Sequence, residues 1–291
     1  MDDKDVSSWD PAEWARKEEL RRAWWLVWEL DLFGSCMSRR PTMIDRRRMS
    51  VHLPVSDEAW FSERPVASKP LRTDPGKAWT TLAGCSNQDA RAWFLVANYL
   101  MTLPMDIAQG GKPVSRAESQ VLANAIACYA LALPSHLRLP SPSFRFDQST
   151  FAQSNWIVAI HIMILTARAE VKALHDGAAN ELDACVLDWK FRGRELSRII
   201  HHWEPDYISL CQPFVACQLV PTYPRLSRSA RTIANSADDL DPADESYQDI
   251  LMLTLARQAE VWKLGSVLLR ESELFITLEQ SGRKLTDTLL T

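Results

Sequence analysis

Polarity along the first forty residues changes partway through what reads as one helix. Asp10 stands where an N-cap belongs, Pro11 at the first helical position and Glu13 three residues after the cap, a capping-box arrangement. Trp9 and Trp14 occupy the two positions of a hydrophobic staple. From Glu13 to Arg22 seven of ten residues are charged, with Glu13–Lys17 and Glu18–Arg22 at i,i+4 spacing. From Ala23 to Met37 eleven of fifteen are apolar. A helix apolar all round is a buried one, so the pattern predicts a helix that begins in solvent and dives into the core. Pro41 stops it by about Arg39.

Helical signals continue to the far end. An irregular basic strap runs to Pro54, and Ser56 caps a short helix with Val55 and Trp60 placed for a second staple. Residues 62–76 carry Pro65, Pro70 and Pro75 and read as a flexible surface loop. Asn87 caps a helix that Pro104 stops at about Thr102, and Gly110-Gly111 marks a turn. Ser115 with Glu118 opens another helix, which ends before Pro134. Helices over roughly 150–175 and 180–203 follow, broken at Gly177 and Pro205, then a kinked one around 207–220 with Pro213 inside it. The acidic stretch 235–245 reads as a second flexible loop before a last helix from about Tyr247 to Leu269, with a short tail helix to Gln280. No run alternates long enough for a sheet and no period repeats, so the expected fold is all-α: an irregular multi-helix bundle forming one domain over 1–291.

Composition narrows the classes. Of 291 residues 46% are hydrophobic and 24% charged, values of a globular chain rather than a disordered one. The net charge of −4 argues against a surface that grips nucleic acid along its whole length. The start, MDDKDVSSWD, has no apolar core for a signal peptide, and Trp156–Leu165 is far below the ~20 residues a membrane span needs. A soluble, intracellular protein without membrane contact is expected.

Candidate chemistry is sparse. Cys36, Cys85, Cys128, Cys185, Cys211 and Cys217 contain no C-x2-C pair, which speaks against structural zinc, and most lie among apolar residues. Asp238-Asp239-Leu240-Asp241-Pro242 resembles a magnesium-binding DDxxD run, but proline stands where the third carboxylate must return to the same face. His201 and His202 point about 100° apart on a helix and do not share an ion easily. No nucleophile elbow, phosphate loop or zinc-protease motif occurs, so no catalytic, cofactor-binding or metal-binding residue is expected. The strap holds Arg39, Arg40, Arg46, Arg47 and Arg48 against Asp45, a pattern open to phosphate contact, nuclear import or pairing with acidic helix faces. Asp31, set among Trp28, Leu30, Leu32 and Phe33, is expected to be a buried carboxylate paired with Arg39 or Arg40.

The run from Glu19 to Trp60 resembles the signature of the fungal-specific transcription factor domain, the middle homology region of zinc-cluster regulators. The places that carry the resemblance are Glu19, Arg21, Arg22, Trp24, Trp25, Asp31, Ser35, Arg40, Pro41, Leu53 and Pro54, with Trp60 closing the run. Beyond it the likeness is one of helix order, through YALALPSHL at 129–137, the segments 154–175 and 182–220, and the final helix.

The resemblance implies a non-enzymatic regulatory domain of a nuclear transcription factor acting on RNA polymerase II genes of a metabolic pathway or gene cluster. Its partners would be coregulators or a small-molecule effector, with a homodimer possible. DNA is normally reached through a separate six-cysteine, two-zinc module, the only place the family holds zinc. The C-x2-C-x6-C repeats of that module do not occur here, so the chain is expected to be part of a larger regulator or a truncated product without sequence-specific DNA binding of its own. An effector site is expected in the core, walled by Trp24, Trp25 and Trp28 and by 154–165 and 210–220, with His161 and Gln212 as polar contacts. A helical scaffold or small-molecule binder unconnected with transcription is the alternative, and a helical enzyme a more distant one.

Overall fold

The computed structural model describes residues 8–38, 40–109, 114–142, 144–176, 192–219 and 242–272. Among these its regular structure is helical, with no strand and one isolated antiparallel bridge between His52 and Pro70. The helices are α1 (Pro11–Ser38), α2 (Asp57–Phe61), α3 (Ala90–Gln109), α4 (Arg116–Ala132), α5 (Phe151–Asp176), α6 (192–200), α7 (Pro205–Ile208), α8 (Pro242–Ala259) and α9 (263–272). The chain divides into two compact units. One holds the described residues of Met1–Phe144 and Thr166–His175, the other those of Arg145–Leu165 and Asp176–Thr291.

In the first unit the local start signals operate as read. Pro11 opens α1, whose first turn is completed by the Asp10 carboxylate accepting from the Ala12 amide at 3.3 Å. Glu13 turns to Lys17. Ser56 accepts from the Ala59 amide to cap α2, and Ser115 with Glu118 forms a reciprocal capping box on α4. Trp14, Val55 and Ala59 pack together with Trp9 and Val66 against them, so the first staple shares a cluster with Val55 of the second.

Four expectations in this unit are corrected. The second half of α1 is not buried all round: Leu20, Leu26, Val27, Leu30 and Met37 are all about half exposed or more. Residues 62–76 are not wholly a surface loop, because Ala67, Ser68 and Leu71 are buried and the Lys69 carbonyl accepts from the Leu53 amide at 2.9 Å. That backbone pairing draws the segment inward. Pro104 does not stop α3, which runs on to Gln109 with the proline inside it. Every residue from Ala92 to Pro104 is buried, and packing on all sides offsets the hydrogen bond that proline removes. The cap of α3 is Asp89, whose carboxylate accepts from the Arg91 amide at 3.0 Å, and not Asn87. Asn87 instead bonds the Pro54 carbonyl and the Ser68 hydroxyl. Against α3 lies α4, where the Tyr129 hydroxyl donates to the Trp93 carbonyl at 2.6 Å.

The second unit is built on the first part of α5, where Ile157–Ile160 and Ile162–Leu165 are buried. Trp203 donates to Asn155 at 2.8 Å, and the Asn155 amide donates to the Tyr207 carbonyl at 3.1 Å. The kinked helix expected around 207–220 is two pieces, α7 and a 3-10 turn at Pro213–Gln218, because each proline starts its own turn. The last helix starts earlier than expected, at Pro242, and is interrupted at 260–262 before α9. At that break a Cβ on Gly265 would stand 2.7 Å from the Ala259 amide nitrogen, so only glycine permits the close approach. Trp262 donates to the Ser209 carbonyl and Gln258 to the Ile208 carbonyl, pinning the break to α7. The Gly110-Gly111 turn, the Gly177 break, residues 235–241 and the tail helix to Gln280 lie outside the described residues.

Candidate functional site

The strap of residues 40–55 returns antiparallel along α1, and the signature residues hold it there. Nearest the helix end, the Ser35 hydroxyl bonds the Arg40 carbonyl. One turn earlier, Asp31 accepts from the amides of Met43 and Ile44 at 2.9 and 3.0 Å. Trp25, fully buried, donates its indole N–H to the His52 carbonyl at 2.7 Å. Arg22 donates to the Val55 carbonyl at 2.6 Å, and Glu18 accepts from the Val55 amide at 2.9 Å. Positions 35, 31, 25, 22 and 18 thus meet 40, 43–44, 52 and 55 in order. Apart from a 3-10 turn at Arg46–Arg48 the strap is irregular, and side chains of α1 satisfy its backbone groups at 40, 43, 44, 52 and 55.

The lower end of this clamp is ionic and buried. Glu18 is 0% exposed and Arg22 9%. Arg22 binds Glu18 at 3.2 Å and Asp57 at the start of α2, and its guanidinium lies 4.4 Å over the Trp60 ring. Arg21 binds the other Glu18 oxygen. Burial pushes the Glu18 carboxyl above its ordinary value, while Arg21, the Val55 amide and Arg22 pull it back down. The Glu18–Arg22 spacing visible in the sequence is therefore a fold-defining pair rather than a solvated one.

Asp31 is corrected by the same geometry. It is half-buried, and its two oxygens are taken by strap amides rather than by Arg40, which is exposed and contributes its carbonyl. Arg39 lies outside the described residues. Arg46 leaves the basic surface altogether: it is buried against Thr102 and Asp106 of α3. Arg48 remains exposed, 3.7 Å from Asp45. Pro41 is exposed, whereas Leu53 and Pro54 are buried, their carbonyls accepting from Ser68 and Asn87. Trp24 is half-buried, edge-on to Trp25 at 4.8 Å between ring centres.

Two participants had weak sequence signals. Asn87 joins the strap to the segment around Ser68 by side-chain bonds alone. Glu29 faces inward from α1 with Arg91 of α3 at 3.6 Å; burial pushes its carboxyl up to about 7 against the pull of that guanidinium. A carboxylate amid apolar neighbours was the available signal, and it pointed equally to Asp31.

The walls expected for an effector site fall in different units, with Trp24, Trp25 and Trp28 in the first and 154–165 and 210–220 in the second. Four tryptophans of the first unit serve as donors to polar groups nearby, Trp25 to His52, Trp60 to Ala15, Trp79 to Gly76 and Trp93 to Gln88, whereas the buried Trp28 indole N–H has no hydrogen-bond partner among the described residues. A cleft of about 260 Å³ exists elsewhere in the first unit, between α4 and the end of α5. Ala123, Ile126 and Val171 form its apolar part, with Ser119, Gln120, Arg168 and Lys172 around them. His201 and His202 hold their ring centres 6.1 Å apart. Among the described residues no group of three or more His, Cys, Asp or Glu side chains is placed to hold a metal ion. No helix among them is long and apolar enough to cross a membrane.

No curated protein and no solved structure matches the chain. Residues 3–94, which contain α1, the strap with its clamp, α2 and the start of α3, match the family model described as the fungal specific transcription factor domain; this stretch is similar to that domain, and the likeness implies a role in regulating transcription.

Proposed function

We propose that the chain is the regulatory part of a nuclear fungal transcription factor acting on RNA polymerase II genes of a metabolic pathway or gene cluster. DNA contact would be supplied by a zinc-cluster module whose cysteine repeats do not occur in these 291 residues. The observation that supports this reading is the clamp: Arg22, Trp25, Asp31 and Ser35 of the family signature bond the backbone of one strap, a structural use of the residues that carry the likeness. A non-enzymatic protein that works by contact with coregulators or an effector follows.

Tethering tests it. The full chain fused to an unrelated DNA-binding domain should change a reporter's transcript level several-fold in a fungal host. The Arg22→Ala version should lose that effect together with the fold. An unchanged reporter with the fusion folded and nuclear would refute the proposal. In a band-shift titration the isolated chain should treat any duplex and its scrambled counterpart alike.

The cleft between α4 and α5 favours a second mode for the same role. Two cations beside an apolar wall suit a small effector carrying a carboxylate or phosphate. Arg168→Ala should then abolish effector-dependent reporter change and leave effector-independent activity intact.

A further inference from the structure

The second half of α1 is apolar on both sides. Its buried side carries Trp25, Trp28, Leu32 and Phe33 with Glu29 and Ser35 among them, while every exposed residue from Leu20 to Met37 is uncharged. Six of them, Leu20, Ala23, Val27, Leu30, Gly34 and Met37, follow a 3-4-3-4-3 spacing, the two-position seam of a helix pair. Leu20 is 61% exposed, Val27 56% and Met37 51%, and a Cβ on Gly34 would meet nothing within 4 Å. At 1.5 Å per residue the seam is about 26 Å long. A continuous apolar stripe of that length marks an interaction surface.

We propose that this seam pairs with the α1 seam of a second copy of the chain, antiparallel, about a two-fold axis at the midpoint between Trp28 and Glu29. Three features select that occupant and that direction. The six positions lie symmetrically about the midpoint, so Leu20 meets the partner's Met37, Ala23 meets the partner's Gly34 and Val27 meets the partner's Leu30. Large residues oppose large ones and the two smallest oppose each other, which lets the backbones approach closely. A two-fold interface requires such self-complementarity.

Charge gives the second. Glu19, exposed, precedes the seam by one residue, and Arg40, exposed, lies just past its far end with its carbonyl held by Ser35. Antiparallel pairing sets Glu19 beside the partner's Arg40 at both ends. Parallel pairing sets Glu19 toward the partner's Trp24 and Leu26 toward the partner's Asp31, with no opposite charge at either place. Helix dipoles supply the third, since antiparallel neighbours attract and parallel ones repel.

A seam of one helix buries less than the ~800 Å² per partner of a standard interface, so a dimer in the micromolar range is expected. This proposal does not depend on the transcriptional role. Sedimentation equilibrium of the full chain between about 1 and 100 µM should show monomer passing into dimer. Leu30→Glu should weaken the dimer at least tenfold without altering the circular dichroism spectrum, because the residue is exposed in the monomer. Glu19→Arg and Arg40→Glu should each weaken it several-fold, and the double variant should restore it to within about twofold of the parent. For direction, Val27→Cys and Leu30→Cys chains are mixed under mild oxidation. Cross-links between the two variants support the antiparallel seam, whereas Val27→Cys linked to itself overturns it. A chain monomeric at 100 µM, or a dimer indifferent to Leu30→Glu, also overturns it.

Discussion

Helices α1 and α3 are both apolar over a dozen or more residues, yet they end up in opposite situations. In α3 every residue from Ala92 to Pro104 is buried, and even a proline is carried inside the helix. In α1 Leu26, Val27 and Leu30 face outward, while Glu18, Arg22 and Glu29 are buried along with Trp25, Trp28, Leu32 and Phe33. The difference lies in what each helix is packed against. Apolar neighbours such as α4 surround α3, whereas α1 is wrapped by a strap that offers mainly backbone amides and carbonyls. Those groups require hydrogen-bonding side chains as partners, so α1 sets Glu18, Arg22 and Ser35 among its buried aromatic residues. Apolar content alone tells how much can be buried, not which face is.

The contrast breaks most sharply at Arg22. Removing its side chain leaves Glu18 buried with an incomplete set of partners and frees Asp57 and the Val55 carbonyl. Arg22→Ala should cost about 3–5 kcal/mol, comparable with a large truncation in α3 such as Leu100→Ala. Urea denaturation of both variants checks it; a loss under about 1 kcal/mol for Arg22→Ala would mean that the clamp does not hold the fold.

Glu29 sharpens the comparison through pH. Its folded carboxyl sits at about 7, above the ordinary value of 4.5, so the folded chain keeps a proton that the unfolded chain has released. Between pH 4.5 and 7 this group therefore lowers stability as pH rises, and the full cost remains above 7. Glu29→Gln should flatten that dependence and raise stability at pH 8 by about 1–3 kcal/mol, with little difference at pH 4.5. Parallel shifts of the two proteins across pH would refute the assignment.

Asp31 is expected to matter less than its surroundings in the sequence indicate. Its loss removes two hydrogen bonds to partly exposed amides and strands no buried arginine. Asp31→Ala should cost about 1–2 kcal/mol in place of the 3–5 expected for a buried ion pair, and should increase hydrogen exchange at Met43 and Ile44. The smallest effect belongs to the outer face. Leu20→Gln should change the stability of the monomer by less than about 0.5 kcal/mol, measured by thermal melting well below micromolar concentration.

The start signals were readable because they are local: Pro11, Ser56 and the Ser115–Glu118 pair act on amides within a few residues of themselves. The types of residue at the clamp were equally visible, since Arg22, Trp25, Asp31 and Ser35 stand in a run that carries the family signature. Their roles were not visible. Trp25 has the composition of a ligand wall and serves as a donor to His52; Asp31 has that of a buried ion and accepts strap amides.

By itself, then, the sequence determined the helical class, most helix starts and the signature around α1, because each rests on spacing along one stretch of chain. Tertiary structure decided that Pro104 continues a helix, that Ala67, Ser68 and Leu71 are drawn inward, and that α1 buries Glu18, Arg22 and Glu29 while exposing Leu20, Leu26 and Leu30. Each of those outcomes depends on which backbone groups from distant residues come to lie against a helix face, and spacing along the chain carries no record of that.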